Sequence, residues 1–105
     1  MSFPKPTGYK DYNFFKKVDI VETSFQDDAD AFITFANYAL ILTNEDTGND
    51  VVEYSFNGDT VHGELIPGNT SPTRQLTFLN RQISRIWFRV KDGSMGPITV
   101  RIDAW

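Results

Sequence analysis

The run Val51-Val-Glu-Tyr-Ser-Phe-Asn-Gly-Asp-Thr-Val-His-Gly-Glu-Leu65 sets two β-forming segments on either side of Asn57-Gly58. That pair is the strongest short-range hairpin signal a sequence can carry. A two-residue type I′ turn needs φ > 0 at both central positions, and Asn and Gly adopt it at least cost. Such a turn predicts a register with Phe56 opposite Asp59, Tyr54 opposite Val61, Glu53 opposite His62 and Val52 opposite Gly63. Side chains alternate across a pleat, so Val52, Tyr54, Phe56, Val61 and Leu65 are expected on the buried face. Glu53, Ser55, Thr60, His62 and Glu64 are expected on the wet one. His62 is the only histidine and cysteine is absent, which removes most of the usual nucleophiles and metal ligands.

A chain of 105 residues suits one domain with a single core, and nine Phe among 14% aromatics suit a thin sandwich. The net charge of −4 is unevenly spread. Residues 1–50 hold four Lys against nine acids, giving −5, while residues 51–105 hold five Arg and one Lys against five acids, giving +1. Neither half has the basic footprint of a duplex binder, so no nucleic-acid partner is expected. Without cysteine there is no disulfide framework. The opening Met1-Ser-Phe-Pro-Lys-Pro-Thr-Gly-Tyr9 has no apolar signal core, and no apolar run reaches membrane-spanning length. No membrane partner is expected, and synthesis in a cytoplasm is.

Residues 1–13 read as an arm, because Pro4, Pro6 and Gly8 discourage regular structure. Phe3, Tyr9 and Tyr12 are too apolar for a solvated tail, so the arm packs on its own domain or on a neighbour. Residues 14–105 read as the folded domain. In Phe14–Thr23, Phe14, Val18 and Ile20 share a parity; Gln26–Asp30 is a polar turn. Ala31–Thr43 has helical spacing at Phe32, Phe35, Ala36, Ala39 and Leu40, yet Ile33, Thr34, Phe35 and Tyr38 favour strands. Two short strands broken near Ala36-Asn37 are expected. Leu76 and Phe78 share an inward parity, as do Ile86, Phe88 and Val90, and then Ile98, Val100, Ile102 and Ala104. The alternate set, Arg85, Trp87, Arg89, Thr99, Arg101, Asp103 and Trp105, faces out. Seven to eight short strands with Gly/Pro turns imply an all-β antiparallel sandwich, Ig-like or jelly-roll-like. If the last two strands form a hairpin, avoidance of like charges sets Trp87 opposite Arg101 and Arg85 opposite Asp103.

The candidate chemistry is thin. His62 as a general base lacks a nucleophile beside it and reads as a surface histidine near Glu53. Asp27, Asp28 and Asp30, or Asn44, Glu45, Asp46, Asn49 and Asp50, could suggest calcium, but neither cluster has the spacing of an EF-hand loop. Both read as solvated acidic turns. No Gly-x-Ser-x-Gly elbow or phosphate loop is present. No catalytic residue, metal or cofactor is expected, and the chain is not read as an enzyme. Outward Trp flanked by Arg is enriched where proteins meet proteins, and it also suits sugar stacking. The candidate contact residues are therefore Phe3, Tyr9, Tyr12, Arg85, Trp87, Arg89, Arg101 and Trp105.

The segments Glu53-Tyr-Ser-Phe-Asn-Gly58, Val61-His-Gly-Glu-Leu65, Ser84-Arg-Ile-Trp-Phe-Arg89 and Val100-Arg-Ile-Asp-Ala-Trp105 resemble small β-sandwich structural proteins of tailed bacteriophages. These are capsid decoration (cement) proteins or head–tail accessory components, and the resemblance covers about residues 31–105. It implies a non-enzymatic virion protein, made in the host cytoplasm, that binds the major capsid protein or another virion protein and can form a homo-oligomer. It carries over no catalytic residue. The alternatives are a tail or neck accessory protein and a carbohydrate-binding module with Trp87 and Trp105 as stacking platforms.

Overall fold

The chain is folded double about its own middle. The computed structural model describes residues 14–36, 38–68 and 70–105. Eight strands run through them: β1 Phe14–Ile20, β2 Phe32–Ala36, β3 Ala39–Asn44, β4 Val52–Ser55, β5 Gly63–Leu65, β6 Gln75–Leu79, β7 Ile83–Val90 and β8 Ile98–Ala104. β4 pairs with β5, β3 with β6, β2 with β7 and β1 with β8, all antiparallel. Partner numbers add to 118 at Phe14↔Ala104, Phe32↔Ile86 and Ala39↔Leu79, and to 117 at Val52↔Leu65. The four pairs are thus successive stretches of one long ribbon whose midpoint is Gly58-Asp59.

The ribbon is then rolled, so that successive pairs fall alternately into two sheets. Their orders are β1-β8-β3-β6 and β2-β7-β4-β5, completed by the β3–β8 and β4–β7 ladders. This is the strand order of a double-sheet jelly roll. The antiparallel sandwich of seven to eight strands is therefore what forms, in the jelly-roll arrangement. The expected break near Ala36-Asn37 falls between β2 and β3, which end at Ala36 and begin at Ala39.

The core lies between the sheets. Val18, Ile20, Leu40, Leu42, Ile98, Val100, Ile102 and Ala104 of one sheet meet Val52, Tyr54, Leu65, Ile86, Phe88 and Val90 of the other, all buried. Phe32, Phe56, Leu76 and Phe78 close its margins. Each fully buried aliphatic or Phe side chain contributes about 1.5–3 kcal/mol relative to exposure. These inward residues match the alternation in the sequence.

Three expectations are corrected. The first is the turn. Gly58 has φ 83°, but Asn57 is not among the residues with positive φ, so a type I′ turn does not form. Side chains take the backbone donors instead. The Ser55 hydroxyl accepts from the N–H groups of Asn57 (3.2 Å) and Gly58 (2.9 Å), and Asn57 Oδ1 accepts from those of Asp59 and Thr60 (both 2.8 Å). This competition by short polar side chains favours a wider loop. Tyr54 now pairs with Gly63 and Val52 with Leu65, two residues beyond the expected register. A shift of two preserves the faces, so Val52, Tyr54 and Leu65 stay buried, while Val61 is released to 37% exposure and Ser55 is fully buried.

The second is the terminal hairpin. β7 and β8 lie in different sheets, so Trp87 does not oppose Arg101, nor Arg85 Asp103. The connection crosses the end of the sandwich, where Gly96 presses on β1. A Cβ at Gly96 would stand 2.8 Å from the Ile20 carbonyl oxygen and 2.9 Å from Val21 Cα.

The third is Trp87, which is buried rather than outward. It has the outward parity, opposite Ser55, but the 55–60 loop folds over it. A Cβ built on Gly58 would lie 3.0 Å from Trp87 Cε2 and 3.1 Å from Nε1. Gly58 is thus required twice, by its positive φ and by the indole beneath it. Gly58→Val combines left-handed strain with overpacking and is expected to destabilise the fold by about 2–4 kcal/mol. Urea unfolding monitored by tryptophan fluorescence checks this; an unchanged midpoint would show that the loop does not seat on Trp87.

Candidate interaction surfaces

The groups that could have carried chemistry are engaged in holding loops. His62 is exposed, its Nδ1 accepts from the Phe56 N–H (3.0 Å), and its ring packs on Phe56. Asn44 is fully buried at the end of β3 and donates to the carbonyls of Asp50 (3.1 Å) and Leu65 (2.8 Å). Its Oδ1 accepts from the Asp46 N–H (2.9 Å). Asp46 Oδ2 accepts from Gly48 and Asp50, and Asp50 Oδ1 from Met95. The second acidic cluster is a single turn of 3-10 helix, Asp28–Asp30. Carboxylates already accepting backbone donors do not converge on a common point. Among the described residues no group of three or more His, Cys, Asp or Glu is placed to hold a metal ion.

The aromatic and arginine set expected to act together is divided by the fold. Arg85, Trp87 and Arg89 belong to the β2-β7-β4-β5 sheet, Arg101 and Trp105 to the other. Arg89 is bound to Glu53 (2.8 Å) and lies over the Phe25 ring (4.5 Å). Lys91 pairs with Glu64 (3.0 Å), whose hydrogen bond and charge raise the lysine's pKa. Arg101 pairs with Asp103 two residues along its own strand (2.8 Å) and lies over Phe15 (4.6 Å). The Asp103 hydrogen bond and charge raise its already high pKa. The 22–31 segment closes this side of β7 where no strand does. The Gln26 amide exchanges two hydrogen bonds with the Phe88 backbone (2.9 and 3.1 Å), as a strand would, and Val90 N–H donates to Glu22 (2.8 Å).

What stays free lies chiefly on the outer face of β1-β8-β3-β6. By register, Phe15, Asp103, Ile41 and Thr77 form one row across it, and Lys17, Arg101, Thr43 and Gln75 the next. The charges of these rows are answered locally: Lys17–Glu45 at 3.2 Å, Arg101–Asp103, and Gln75 Nε2 to Thr43 Oγ1 at 3.0 Å. Toward one end the face becomes apolar. On this face Phe15 is 59% exposed, Leu79 53% and Trp105 40%, and Tyr38, in the bend just before β3, is 55% exposed. Trp105 is held in place, its N–H bonded to the Ala39 carbonyl (3.0 Å) and its carbonyl accepting from Tyr38 and Ala39 (2.8 and 3.0 Å). Its indole borders an open depression of about 510 Å³ lined also by Ile41, Thr43, Glu45, Arg74, Gln75, Arg101 and Asp103.

Of the expected contact residues, then, Trp105 and Arg101 lie on one surface, Arg85 and Arg89 on another, and Trp87 is buried. Phe3, Tyr9 and Tyr12 lie outside the described residues. Tyr38 and Leu79 were not expected, although Leu79 and Phe15 are apolar at outward parity, which is the signal that marks them. No protein-family model, curated protein or solved structure matches the chain.

Replacing Asn44 by Leu strands the Asp50 and Leu65 carbonyls and the Asp46 N–H. A loss of about 2–4 kcal/mol is expected, since each buried unsatisfied group costs roughly 1–3 kcal/mol. Thermal and urea unfolding of the variant checks it, and millimolar calcium is expected to leave the parent midpoint unchanged. A calcium-dependent rise would reassign the 44–50 loop as a cation site.

Proposed function

We propose that this protein is a virion structural protein, a capsid decoration protein that binds the major capsid protein through the outer face of β1-β8-β3-β6. The observation that carries the reading is the anchored, exposed Trp105 on a face it shares with Phe15 and Leu79, bordered by charges that already neutralise one another. An apolar centre with a satisfied polar rim is what a protein contact requires. Ion pairs satisfied in advance need no new partner when the face is covered. The jelly-roll order is used by viral capsid and lectin domains alike, an analogy of fold and not of site.

The mechanism is contact alone. A protein that binds the assembled lattice and not free subunits stabilises the lattice by mass action. Copies on neighbouring subunits multiply a modest single-site affinity. A tail or neck position uses the same surface. The sugar-binding reading has lost Trp87 to the core and keeps Trp105 beside the depression, where an indole face could stack a pyranose.

Sedimentation with expanded capsids of the phage that encodes the protein tests this. Trp105→Ala is expected to lower affinity by about thirtyfold, the weight of a 2 kcal/mol hot spot, while folding is unchanged by circular dichroism. Failure of the parent protein to bind capsids, with retention on a glycan array lost in Trp105→Ala, would overturn the reading in favour of sugar binding.

A further inference from the structure

On the other sheet, a recess of about 320 Å³ opens between the β6–β7 connection and the wall formed by Phe56 and Trp87. Arg81, Gln82, Ser84 and Arg85 line its polar side, and all four are exposed. The ion pairs among the described residues engage Lys17, Arg89, Lys91 and Arg101. Arg81 and Arg85 take part in none of them, in a chain with fourteen acids and ten Lys and Arg. Two arginines that enter no ion pair among the described residues therefore line one small cavity in an otherwise acidic protein.

The site is partly preorganised. The Arg81 guanidinium lies over the Phe78 ring (5.9 Å), and that ring is fixed edge-on to Tyr54 and Phe56. The charge of Arg81 is felt within this aromatic cluster: burial raises the Tyr54 phenol above its usual pKa, and Arg81 opposes that rise. Arg85 rises from β7 beside the bulge where the β2–β7 register shifts between Ile33 and Ala36. The apolar wall lowers the local dielectric on one side, which strengthens a charge-assisted contact made against it.

We propose that this recess binds an acidic side chain of a partner protein, its carboxylate between Arg81 and Arg85 and its methylene stem against Phe56 and Trp87. The paired donors suit a planar carboxylate, for which arginine forks are shaped. The cavity exceeds a bare oxyanion and its far wall is apolar, which fits an anion carried on a short hydrocarbon stem. That the acid belongs to a protein partner rests on the contact function proposed above; the carboxylate site does not.

The probe is N-acetylglutamate N-methylamide, a single carboxylate on a two-carbon stem, titrated at constant ionic strength into the full-length protein. Amide and indole resonances in proton–nitrogen correlation spectra report binding. Saturable shifts at residues 81–85 and at the Trp87 indole, in the millimolar range, are expected. Arg81→Gln and Arg85→Gln should each weaken binding by about tenfold or more, and the neutral glutamine analogue should give no shifts. Shifts absent, or unaltered in the Arg81→Gln/Arg85→Gln double variant, would overturn the site. Tighter binding of inorganic phosphate than of the probe would overturn the acidic side chain as occupant. Capsid sedimentation of Arg85→Gln separates the two proposals. Weakened particle binding supports the partner assignment, with this recess as a second contact beside the Trp105 face on the opposite sheet. Binding of the probe by a protein that engages no capsid leaves the carboxylate site standing and removes the virion reading.

Discussion

The structure depends on how the chain reverses at residues 55–62. The four nested pairs stay within about one residue of a common register about that reversal, so a larger change in loop length would be passed along the ribbon from β4–β5 to β1–β8. A one-residue slip would turn a strand's inward side chains outward, exposing Leu40 and Leu42 or Ile86 and Phe88. The loop resists this because it is closed by side chains rather than by turn geometry alone. Ser55 and Asn57 hold four backbone donors between them, and Gly58 seats the loop on Trp87. The ribbon also limits the cost of closure. With β4–β5 paired, bringing β3 to β6 closes only a short additional loop, and each later pair builds on the one before.

That reversal also accounts for how several polar side chains are used. Doubling a chain of this length brings its loops to the ends of a small sandwich, where backbone N–H groups have no strand to bond. Asn44, Asp46, Asp50, Ser94 and Gln26 supply acceptors or donors there. Residues that read as a possible cation site in one dimension are hydrogen-bonding partners in three. Among the described residues, what remains includes a held indole with apolar neighbours on one sheet and, on the other, Arg81 and Arg85, which enter no ion pair there.

The alternation of strand residues was legible in the sequence because the pleat has a period of two and the inward side must be apolar. That rule correctly placed Val18, Ile20, Leu76, Phe78, Ile86, Phe88, Val90 and the inward set of β8, and strand preference located the break near Ala36-Asn37. Two things were not legible. The loop was misjudged because Asn57-Gly58 favours a tight turn locally, whereas Ser55 and Asn57 side chains together satisfy more donors in a wider one. Trp87 and the β7–β8 hairpin were misjudged for a non-local reason. Outward parity says nothing of a loop arriving from elsewhere, and adjacency along the chain does not decide which sheet a strand joins. Trp105 was recognised as outward, but Leu79 beside it on the sheet face comes from a strand, β6, whose lateral place only the rolled ribbon reveals.

The account stands on the doubled ribbon, and cross-strand nuclear Overhauser contacts between backbone protons test it most directly. The predicted pattern places β8 between β1 and β3, with contacts from Ile102 to both Lys16 and Leu42, from Leu42 to Leu76, and from Val52 to Leu65 and Val90. Contacts between Trp87 and Arg101, as in a direct β7–β8 hairpin, or between Tyr54 and Val61, as in a tight Asn57-Gly58 turn, would contradict it.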